Sequence, residues 1–275
     1  MSNRASVGAL LLATLSALAS VPTFGDEMTY PDWSGQWLNP IASDNGTPWD
    51  PTKPRGLAQQ APLIPEYQAR FETSIADQAA GGHGNDYRSD CVLDGMPRMM
   101  SLDAPMEVLI RPKVTDLIFQ NALPRRIFTD GRDWPDEAAT FQGYSIGKWT
   151  DEDGNGRYDT LAVETRNFTG PRVFEASGLP LHDDNGTIVK ERFFLDRSNK
   201  DILHDEITTV DDALTRPWTV IKSYVRSRDP KWVEYNCEVT DTNVRIGPEE
   251  YAVSADGLLK PVRKGQPAPD LRYFK

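Results

Sequence analysis

Nine short segments that follow Cys91 constrain the fold of this chain more than any other feature of the sequence. Each segment is apolar or alternates between apolar and polar residues, and turn residues separate it from the next. The segments read EVLIRPKV, TDLIFQN, RRIFTD, GYSIGKWT, TLAVETRNF, TIVKERFFL, ILHDEITTV, WTVIKSYVR and WVEYNCEV. Almost no helical periodicity interrupts them. The pattern therefore predicts a mainly β chain whose antiparallel up-and-down sheet closes as a single barrel, with a sandwich as the alternative.

One amphipathic helix is predicted before this series. From Pro65 onwards, Tyr67, Phe71 and Ile75 follow at four-residue spacing, and two glycines end the pattern. The chain then divides into four regions. We expect a signal peptide at 1–25, an extended Pro- and Trp-rich arm with a possible first strand at 26–64, a helix plus β-barrel domain at 65–247, and a strapping or loosely ordered C-terminal tail at 248–275.

The first residues are typical of a secretory signal peptide. Arg4 precedes an apolar run from Val7 to Val21, and small residues near its end allow cleavage after Ala19 or Gly25. An uncleaved membrane anchor is the alternative, but the run is shorter than the ~20 apolar residues that a spanning helix needs. The sequence therefore predicts a soluble exported protein of a bacterial periplasm, with no membrane span in the mature chain.

The charge balance excludes one class of partner. The sequence has 30 Lys and Arg residues against 41 Asp and Glu residues, which gives a formal net charge of -11. A surface of this sign repels phosphate groups and anionic lipid heads. Nucleic acid is therefore not an expected partner.

Cys91 and Cys237 are the only cysteines in the sequence. An oxidising compartment allows them to pair, and closing so long a loop would stabilise the fold by about 4–5 kcal/mol in the chain-entropy model. Two separately buried thiols that act as small apolar side chains are the alternative. We expect the disulfide.

The stretch WTDEDGNGRYDTLAVE, residues 149–164, is typical of a calcium-binding hairpin. Its candidate ligands are Asp151, Asp153, Asn155 and Asp159, with the backbone carbonyl of Arg157. An EF-hand would have glutamate at the twelfth position and flanking helices, whereas this loop has Ala162 and strand-like flanks. The spacing instead resembles the D-x-D-x-N-G-x-x-D hairpins of integrin-type propeller blades. We expect a structural calcium ion, with an acidic, solvated hairpin as the alternative.

Strand alternation indicates which titratable side chains point into the barrel. Glu191 shares one face of TIVKERFFL with apolar residues, and Tyr235 does so in WVEYNCEV. His204, which shares a face of ILHDEITTV with an isoleucine and a glutamate, is the strongest general acid–base candidate because its ordinary pKa lies near neutrality. A partly exposed strand histidine beside carboxylates is the alternative. We expect His204 or Glu191 as the base and Tyr144 or Tyr235 as the acid.

Several arginines lie in the first half of the predicted barrel. Arg98 and Arg126 are candidate ligand-binding residues, and Arg125 points to the face opposite Arg126. A buried arginine needs a carboxylate partner, and the candidates are Glu191, Glu164 and Asp130. We expect these arginines to form structural ion pairs with carboxylates at the mouth of the barrel. In a pocket, the same groups would orient an anionic or hydroxylated ligand.

Several catalytic motifs are absent from the sequence. It contains no H-x-x-x-H, C-x-x-C or phosphate-binding glycine loop, and its one G-x-S-x-G match, GYSIG at 143–147, begins a strand-like segment rather than a strand-to-helix turn. These features disfavour a zinc enzyme, an α/β-hydrolase and a nucleotide enzyme. No organic cofactor is expected.

A set of motifs resembles a large family of exported bacterial proteins, most of them without an assigned function. The residues that carry the resemblance are SGQW, PEYQ, DCVLDGMPRMM, RRIFTDGRDWP, GYSIGKW, DTLAVETRNF, ERFFLD, TRPWTV and EYNCEV. The resemblance implies a single β-barrel of lipocalin-like build and no settled reaction. Two features depart from the family: position 144 is tyrosine where a histidine is common, and the aspartate-rich hairpin is longer than usual.

Together these features favour a periplasmic barrel that binds a small hydrophobic or aromatic molecule. Polar residues on inward faces favour activity as a cofactor-free lyase, isomerase or hydrolase, and uniformly apolar inner faces would contradict it. A carrier without chemistry is one alternative. The other is a structural or interaction protein of the cell envelope, for which the aromatic, Pro-rich arm would be the interface.

Overall fold

The computed structural model describes residues 29–39, 61–80, 82, 84–85, 94–102, 104–136, 138–232, 243–246, 249–253 and 258–269. The predicted signal peptide, both cysteines and Tyr235 lie outside the described residues. The signal peptide, the disulfide between Cys91 and Cys237, and the role of Tyr235 therefore stay predictions.

Nine strands form a closed barrel, which confirms the prediction of a mainly β chain with a barrel. The strands are β1 (Gln36–Leu38), β2 (Met106–Arg111), β3 (Val114–Phe119), β4 (Arg125–Phe128), β5 (Tyr144–Thr150), β6 (Thr160–Arg166), β7 (Ile188–Leu195), β8 (Ile202–Val210) and β9 (Trp218–Ser227). Each strand pairs with the next along the chain, and β1 closes the barrel against β9. β1 is the short strand predicted within the arm, and β2 to β9 match the first eight predicted segments.

One junction departs from the predicted antiparallel order. β4 and β5 run parallel, with Ile127 opposite Ser145, whereas the other neighbouring strands of the barrel are antiparallel. Parallel neighbours begin at the same end of a sheet, so the connection 129–143 must return from one end of the barrel to the other. The barrel is therefore mixed, and a strictly up-and-down order was wrong at this point.

The inner faces of the strands mix apolar and polar side chains. Along β8, Leu203, Asp205, Ile207 and Thr209 are fully buried, and the residues between them are half-buried. This is the two-residue period of a strand with one face toward the core. The interior is therefore not uniformly apolar.

Aromatic side chains of the N-terminal segment pack into the hydrophobic core. The ring of Trp33 lies 4.8 Å from that of Trp149 and 6.3 Å from that of Phe193, between centroids. Trp33 is 1% exposed, and its carbonyl accepts a 3.0 Å hydrogen bond from the indole nitrogen of Trp37 on β1. Rings packed in this way bury large areas. This part of the arm therefore belongs to the barrel core.

Residues 94–102 form a second segment that packs into the interior. All three methionines of this segment are fully buried. Gly95 is required, because a Cβ atom there would lie 2.0 Å from the carbonyl oxygen of Phe141. This close approach of two backbones fixes the segment against the connection between β4 and β5.

The predicted helix, α1, spans Pro65–Ala79 and packs against the loop before β7. Tyr67 and Phe71 are buried, as the amphipathic pattern predicts. The hydroxyl of Ser74 donates a 3.2 Å hydrogen bond to the carbonyl of Ser177 in that loop. Of the described residues, none belongs to a helix both long and apolar enough to cross a bilayer.

The described part of the C-terminal region is more regular than predicted. It forms a three-stranded antiparallel sheet of β10 (Asn243–Ile246), β11 (Glu249–Val253) and β12 (Leu259–Pro261). Arg263 ties this sheet to α1, since its Nη1 donates a 2.9 Å hydrogen bond to Asp77. The sheet pairs short segments that are too brief for periodicity to reveal.

Candidate functional site

Five ionisable side chains from four strands lie together inside the barrel. Arg125 comes from β4, Glu191 from β7, Asp205 from β8, and Lys222 and Tyr224 from β9. Each of the five is at most 5% exposed. Because charged side chains are rarely buried without a partner, we examine these five residues, the interior cluster, as the candidate site.

Arg125 and Glu191 form a bidentate ion pair in the interior cluster. Nη1 of Arg125 donates to Oε1 of Glu191 at 2.7 Å, and Nη2 donates to Oε2. The two side chains are 1% and 0% exposed. This fork-to-fork geometry satisfies both carboxylate oxygens. It also compensates two charges whose burial without a partner would be strongly unfavourable.

Hydroxyl groups fix the orientation of the same guanidinium. Nε of Arg125 donates a 3.2 Å hydrogen bond to Ser145 on β5, and Nη2 donates a 2.9 Å bond to Thr165 on β6. Nη1 also lies 3.5 Å from the sulfur of Met100 in the segment 94–102. Other protein groups therefore occupy the donors of the Arg125 guanidinium. Arg125 holds Glu191 in place and is not available to bind a ligand.

Asp205 differs from the other carboxylate of the cluster. It is fully buried, and neither of its carboxylate oxygens has a hydrogen-bond partner among the described residues. In the sheet register it lies between Phe193 on β7 and Lys222 on β9. Burial raises the pKa of Asp205 well above its ordinary value, and the charge of Glu191 raises it further, against the opposing charges of Arg125 and Lys222.

Lys222 is the second group whose charged form is disfavoured. Its ammonium nitrogen lies 5.7 Å from the centroid of the Phe174 ring. Burial lowers the pKa of Lys222, the carboxylates of Glu175 and Asp205 oppose this, and the positive charge of Arg98 lowers it further. A buried lysine with a lowered pKa is the form of this residue that acts as a base or a nucleophile.

Tyr224 connects the interior cluster to the segment 94–102. Its hydroxyl donates a 2.6 Å hydrogen bond to the carbonyl of Met100. Burial raises the pKa of Tyr224 well above its ordinary value, and the charges of Asp205 and Glu191 act in the same direction. Because its proton is already donated to a backbone carbonyl, Tyr224 positions that segment.

The interior cluster thus holds two carboxyl groups in unlike environments. Glu191 is paired with a guanidinium, whereas Asp205 is desolvated and without a hydrogen-bond partner in the described chain. Titratable groups whose environments separate their pKa values are typical of acid–base sites. The arrangement can hold a proton on Asp205 at a pH where an ordinary aspartate has lost it.

Two of the predicted site residues lie in this interior. Glu191 points inward, as the alternation of its strand predicted, and it is 2% exposed. Arg98, at the start of the 3-10 turn Arg98–Ser101, is 6% exposed and close enough to Lys222 for its charge to act on that amine. The structure therefore brings Glu191 and Arg98 into the neighbourhood of Asp205 and Lys222.

His204 lies on the outer face of β8. Its Nδ1 is 2.9 Å from the hydroxyl of Ser223, and its Nε2 is 3.2 Å from a carboxylate oxygen of Asp196. The inward positions on either side belong to Leu203 and Asp205. The inward orientation assumed for His204 was wrong, because adjacent residues of a strand point to opposite faces.

Tyr144 and Arg126 also point outward. The hydroxyl of Tyr144 accepts a 3.0 Å hydrogen bond from Arg132. Arg126 is 61% exposed, and its Nε donates a 3.2 Å hydrogen bond to Asp116. The inward neighbours are Ser145 and Arg125. The structure therefore does not bring Tyr144, Arg126 and His204 together with Glu191.

Sequence reasoning missed Asp205 and Lys222 as site residues. The signal for Asp205 was present, since its neighbours on the same face are Leu203 and Ile207, a more apolar pair than those that flank His204. Lys222 likewise alternates with Val220 and Tyr224. A charged residue in an apolar alternating set was therefore the informative pattern.

The aspartate-rich hairpin lies outside the barrel interior, between β5 and β6. Carboxylate oxygens of Asp151, Asp153 and Asp159 lie within 4.8 Å of one another. Backbone amides of Gly154, Asn155 and Gly156 donate to the Asp151 carboxylate. The structure thus brings together three of the four carboxylate and amide side chains named as candidate ligands.

Breaking the Arg125–Glu191 pair is expected to destabilise the fold. Glu191→Gln should lower the free energy of unfolding by about 3–5 kcal/mol, because it leaves a buried guanidinium without its counter-charge. The double replacement R125M/E191L should recover most of that loss, since it removes both charges. Urea unfolding followed by circular dichroism measures both.

The matched control for this prediction is Glu164→Gln. Glu164 pairs with Arg166 on the outer face of β6, where the side chains are 25% and 46% exposed. Its loss should cost less than about 1 kcal/mol. If E191Q and E164Q cost the same, the interior pair does not have the structural weight assigned to it.

The free energy of unfolding should also report the raised pKa of Asp205. A carboxyl whose pKa is raised by folding contributes most stability below its unfolded pKa, and this contribution falls as the pH rises. Asparagine does not titrate, so the stability of D205N relative to wild type should increase from about pH 4 to about pH 8. Thermal unfolding at both pH values tests this. A flat difference for D205N would refute the assignment.

Comparisons with protein-family models, with curated proteins and with solved structures each found no match. The family resemblance and the lipocalin-like build therefore stay predictions.

Proposed function

We propose that this protein binds a small, largely aromatic or apolar molecule inside its barrel and catalyses cofactor-free proton transfer on it. The reaction class is that of an isomerase, a lyase or a hydrolase. One observation carries the proposal: a fully buried carboxyl group, Asp205, whose two oxygens have no hydrogen-bond partner among the described residues. An unpaired buried polar group is costly to the fold. A ligand that pairs with it removes that cost.

The neighbours of Asp205 indicate what such a ligand would offer. Phe193 is its partner on β7, and the ring of Phe193 packs against that of Trp33. The indole nitrogen of Trp33 is also buried without a hydrogen-bond partner in the described chain. An aromatic ligand beside Phe193 would accept a hydrogen bond from Trp33 and donate one to Asp205.

Asp205 is the proposed general acid–base. In its carboxylate form it removes a proton from the ligand, and in its neutral form it returns that proton to another atom of the same ligand. Burial raises the pKa of Asp205 well above that of an ordinary aspartate, in the direction that lets a carboxyl group serve as both acid and base. Arg98, a nearby cationic residue, would stabilise negative charge that develops on the ligand.

Glu191 has a positioning role in this proposal. Its pairing with Arg125 keeps a negative charge beside Asp205, and this charge contributes to the raised pKa of Asp205. The role as a base that the sequence indicated therefore moves from Glu191 to Asp205. Glu191 acts through Asp205 and does not touch the ligand.

Export to the periplasm and membership of the resembled family complete the proposal. Export is supported by the arginine and the apolar run that begin the sequence. The family is supported by the joint occurrence of its motifs, and the closed barrel is compatible with it. A ligand carrier without chemistry is the alternative to catalysis in the same interior.

The test uses 5-nitrobenzisoxazole, an aromatic probe that loses one carbon-bound proton to a base and opens to a coloured phenolate. We expect the protein to accelerate this elimination, and the rate to rise with pH because the base form of Asp205 is required. Asp205→Asn should lower the rate by about 100-fold or more, the usual contribution of a general base. Absorbance of the phenolate measures the rate.

Glu164→Gln is the matched control, since Glu164 lies on the outer face of β6 and pairs there with Arg166. Its rate should equal that of wild type. Equal rates in wild type and D205N would refute catalysis by Asp205. If the probe quenches tryptophan fluorescence without being converted, the carrier is favoured instead.

We also propose that the hairpin holds a structural calcium ion. Asp151, Asp153 and Asp159 would supply carboxylate oxygens, and Asn155 and the carbonyl of Arg157 would complete the set. The proximity of the three carboxylates supports this assignment. The ion would stabilise the turn between β5 and β6 and take no part in the chemistry of the interior.

Calcium should raise the thermal unfolding midpoint of the wild-type protein. At a calcium concentration 100 times the dissociation constant, a ligand that binds only the folded state adds about 2.7 kcal/mol. Asp153→Asn should abolish most of this shift, and a chelator should reverse it. A midpoint that calcium and chelator leave unchanged would exclude the site.

A further inference from the structure

The side chain of Lys222 enters the same interior as Asp205. The two residues are directly opposite each other on β9 and β8. Cross-strand partners have Cβ atoms about 4.5–5.5 Å apart, so a small group can contact both side chains. Lys222 is 5% exposed, and its amine lies near the face of Phe174.

An amine in this position has the properties of a nucleophile. A lysine attacks a carbonyl carbon only in its neutral form, and burial favours that form here. The attack also needs a group that gives and takes protons within reach of the same atoms. Asp205, on the adjacent strand, is such a group.

We propose that Lys222 forms an imine with an aldehyde or ketone ligand inside the barrel and that Asp205 transfers the protons. This inference rests on the proposed binding of a small molecule in the interior. It names the ligand class as carbonyl compounds with an aromatic or apolar body. The body would pack against Phe174 or Phe193, the aromatic neighbours of the two reacting groups.

The chemistry is balanced without an oxidant or a reductant. The amine lone pair of Lys222 bonds to the carbonyl carbon, and the oxygen takes a proton from the neutral Asp205. The nitrogen then returns one proton to the Asp205 carboxylate, which gives a neutral carbinolamine. Asp205 protonates the hydroxyl, water leaves, and the nitrogen lone pair forms the C=N bond. One amine proton and one carboxyl proton leave in the water.

The product is a protonated imine beside the Asp205 carboxylate. This new ion pair gives the buried carboxylate a direct partner, whereas its oxygens have no hydrogen-bond partner among the described residues of the free protein. The negative charge of Glu175 also favours a positive nitrogen at this position, whereas the positive charge of Arg98 opposes it. An iminium withdraws electrons from the adjacent carbon, which facilitates the proton removal assigned to Asp205.

Reductive trapping tests the inference directly. Wild-type protein is incubated with benzaldehyde and sodium cyanoborohydride at about pH 6.5, where lysines of ordinary pKa are almost fully protonated. Beyond any benzyl group on the N-terminal α-amine, whose ordinary pKa of about 7.7–8.0 also favours modification at this pH, we expect one benzyl group per chain, and peptide mapping should place it on Lys222. Modification there should be faster than at an exposed lysine, because burial favours the neutral amine of Lys222.

Two variants complete the experiment. Lys222→Arg should abolish the modification, whereas Lys190→Arg, at an exposed site on the outer face of β7, should leave it unchanged. Should K222R fail to fold, the peptide map of the wild type decides alone. Modification confined to exposed lysines, with Lys222 unmodified, overturns the inference.

The outcome can be separated from that of the proposed function. Elimination of 5-nitrobenzisoxazole that depends on Asp205, together with an unmodified Lys222, would refute the imine and keep ligand binding in the interior. Absence of both reactions, with no quenching of tryptophan fluorescence by either probe, would refute the interior site as a whole.

Discussion

The bidentate pair between Arg125 and Glu191 is the interaction on which the rest of the interior depends. It crosses from β4 to β7 and engages hydroxyl groups on β5 and β6, so four consecutive strands share one polar contact. Without it, the barrel would enclose an arginine and a glutamate whose desolvation nothing compensates. With it, the interior acquires a fixed pattern of charge, and each nearby titratable group responds to that pattern.

Asp205 shows this dependence most clearly. It lies in the same interior as Glu191, yet the guanidinium is already occupied by two bonds to the other carboxylate. The negative charge of Glu191 repels that of an ionised Asp205. This repulsion adds to desolvation and favours the neutral carboxyl group of Asp205. Two acidic side chains of similar chemistry thus take different roles because only one of them is hydrogen-bonded to the guanidinium. The role of each follows from its partner rather than from its identity.

The sequence predicted the barrel, the helix and the inward orientation of Glu191, because each depends on the period of a pattern summed over several residues. The orientation that the sequence predicted was wrong for individual side chains. His204, Tyr144 and Arg126 each stand one residue from the inward Asp205, Ser145 and Arg125. A shift of one residue reverses the face of a strand, and β4 offers too few residues to decide between two adjacent arginines. The parallel junction between β4 and β5 depends on the path of a long connection, which periodicity does not describe.

The cost of the interior cluster argues against a purely structural role for all of it. The pairing of Arg125 and Glu191 explains their burial, and the bond of Tyr224 to Met100 explains the buried hydroxyl. Neither explains Asp205, which is buried without a hydrogen-bond partner in the described chain and lies across from an amine whose charge is also disfavoured. An apolar residue at position 205 would stabilise the free barrel more than the unbonded aspartate does. A group that destabilises the free protein but is relieved by a ligand is what a binding or catalytic site requires.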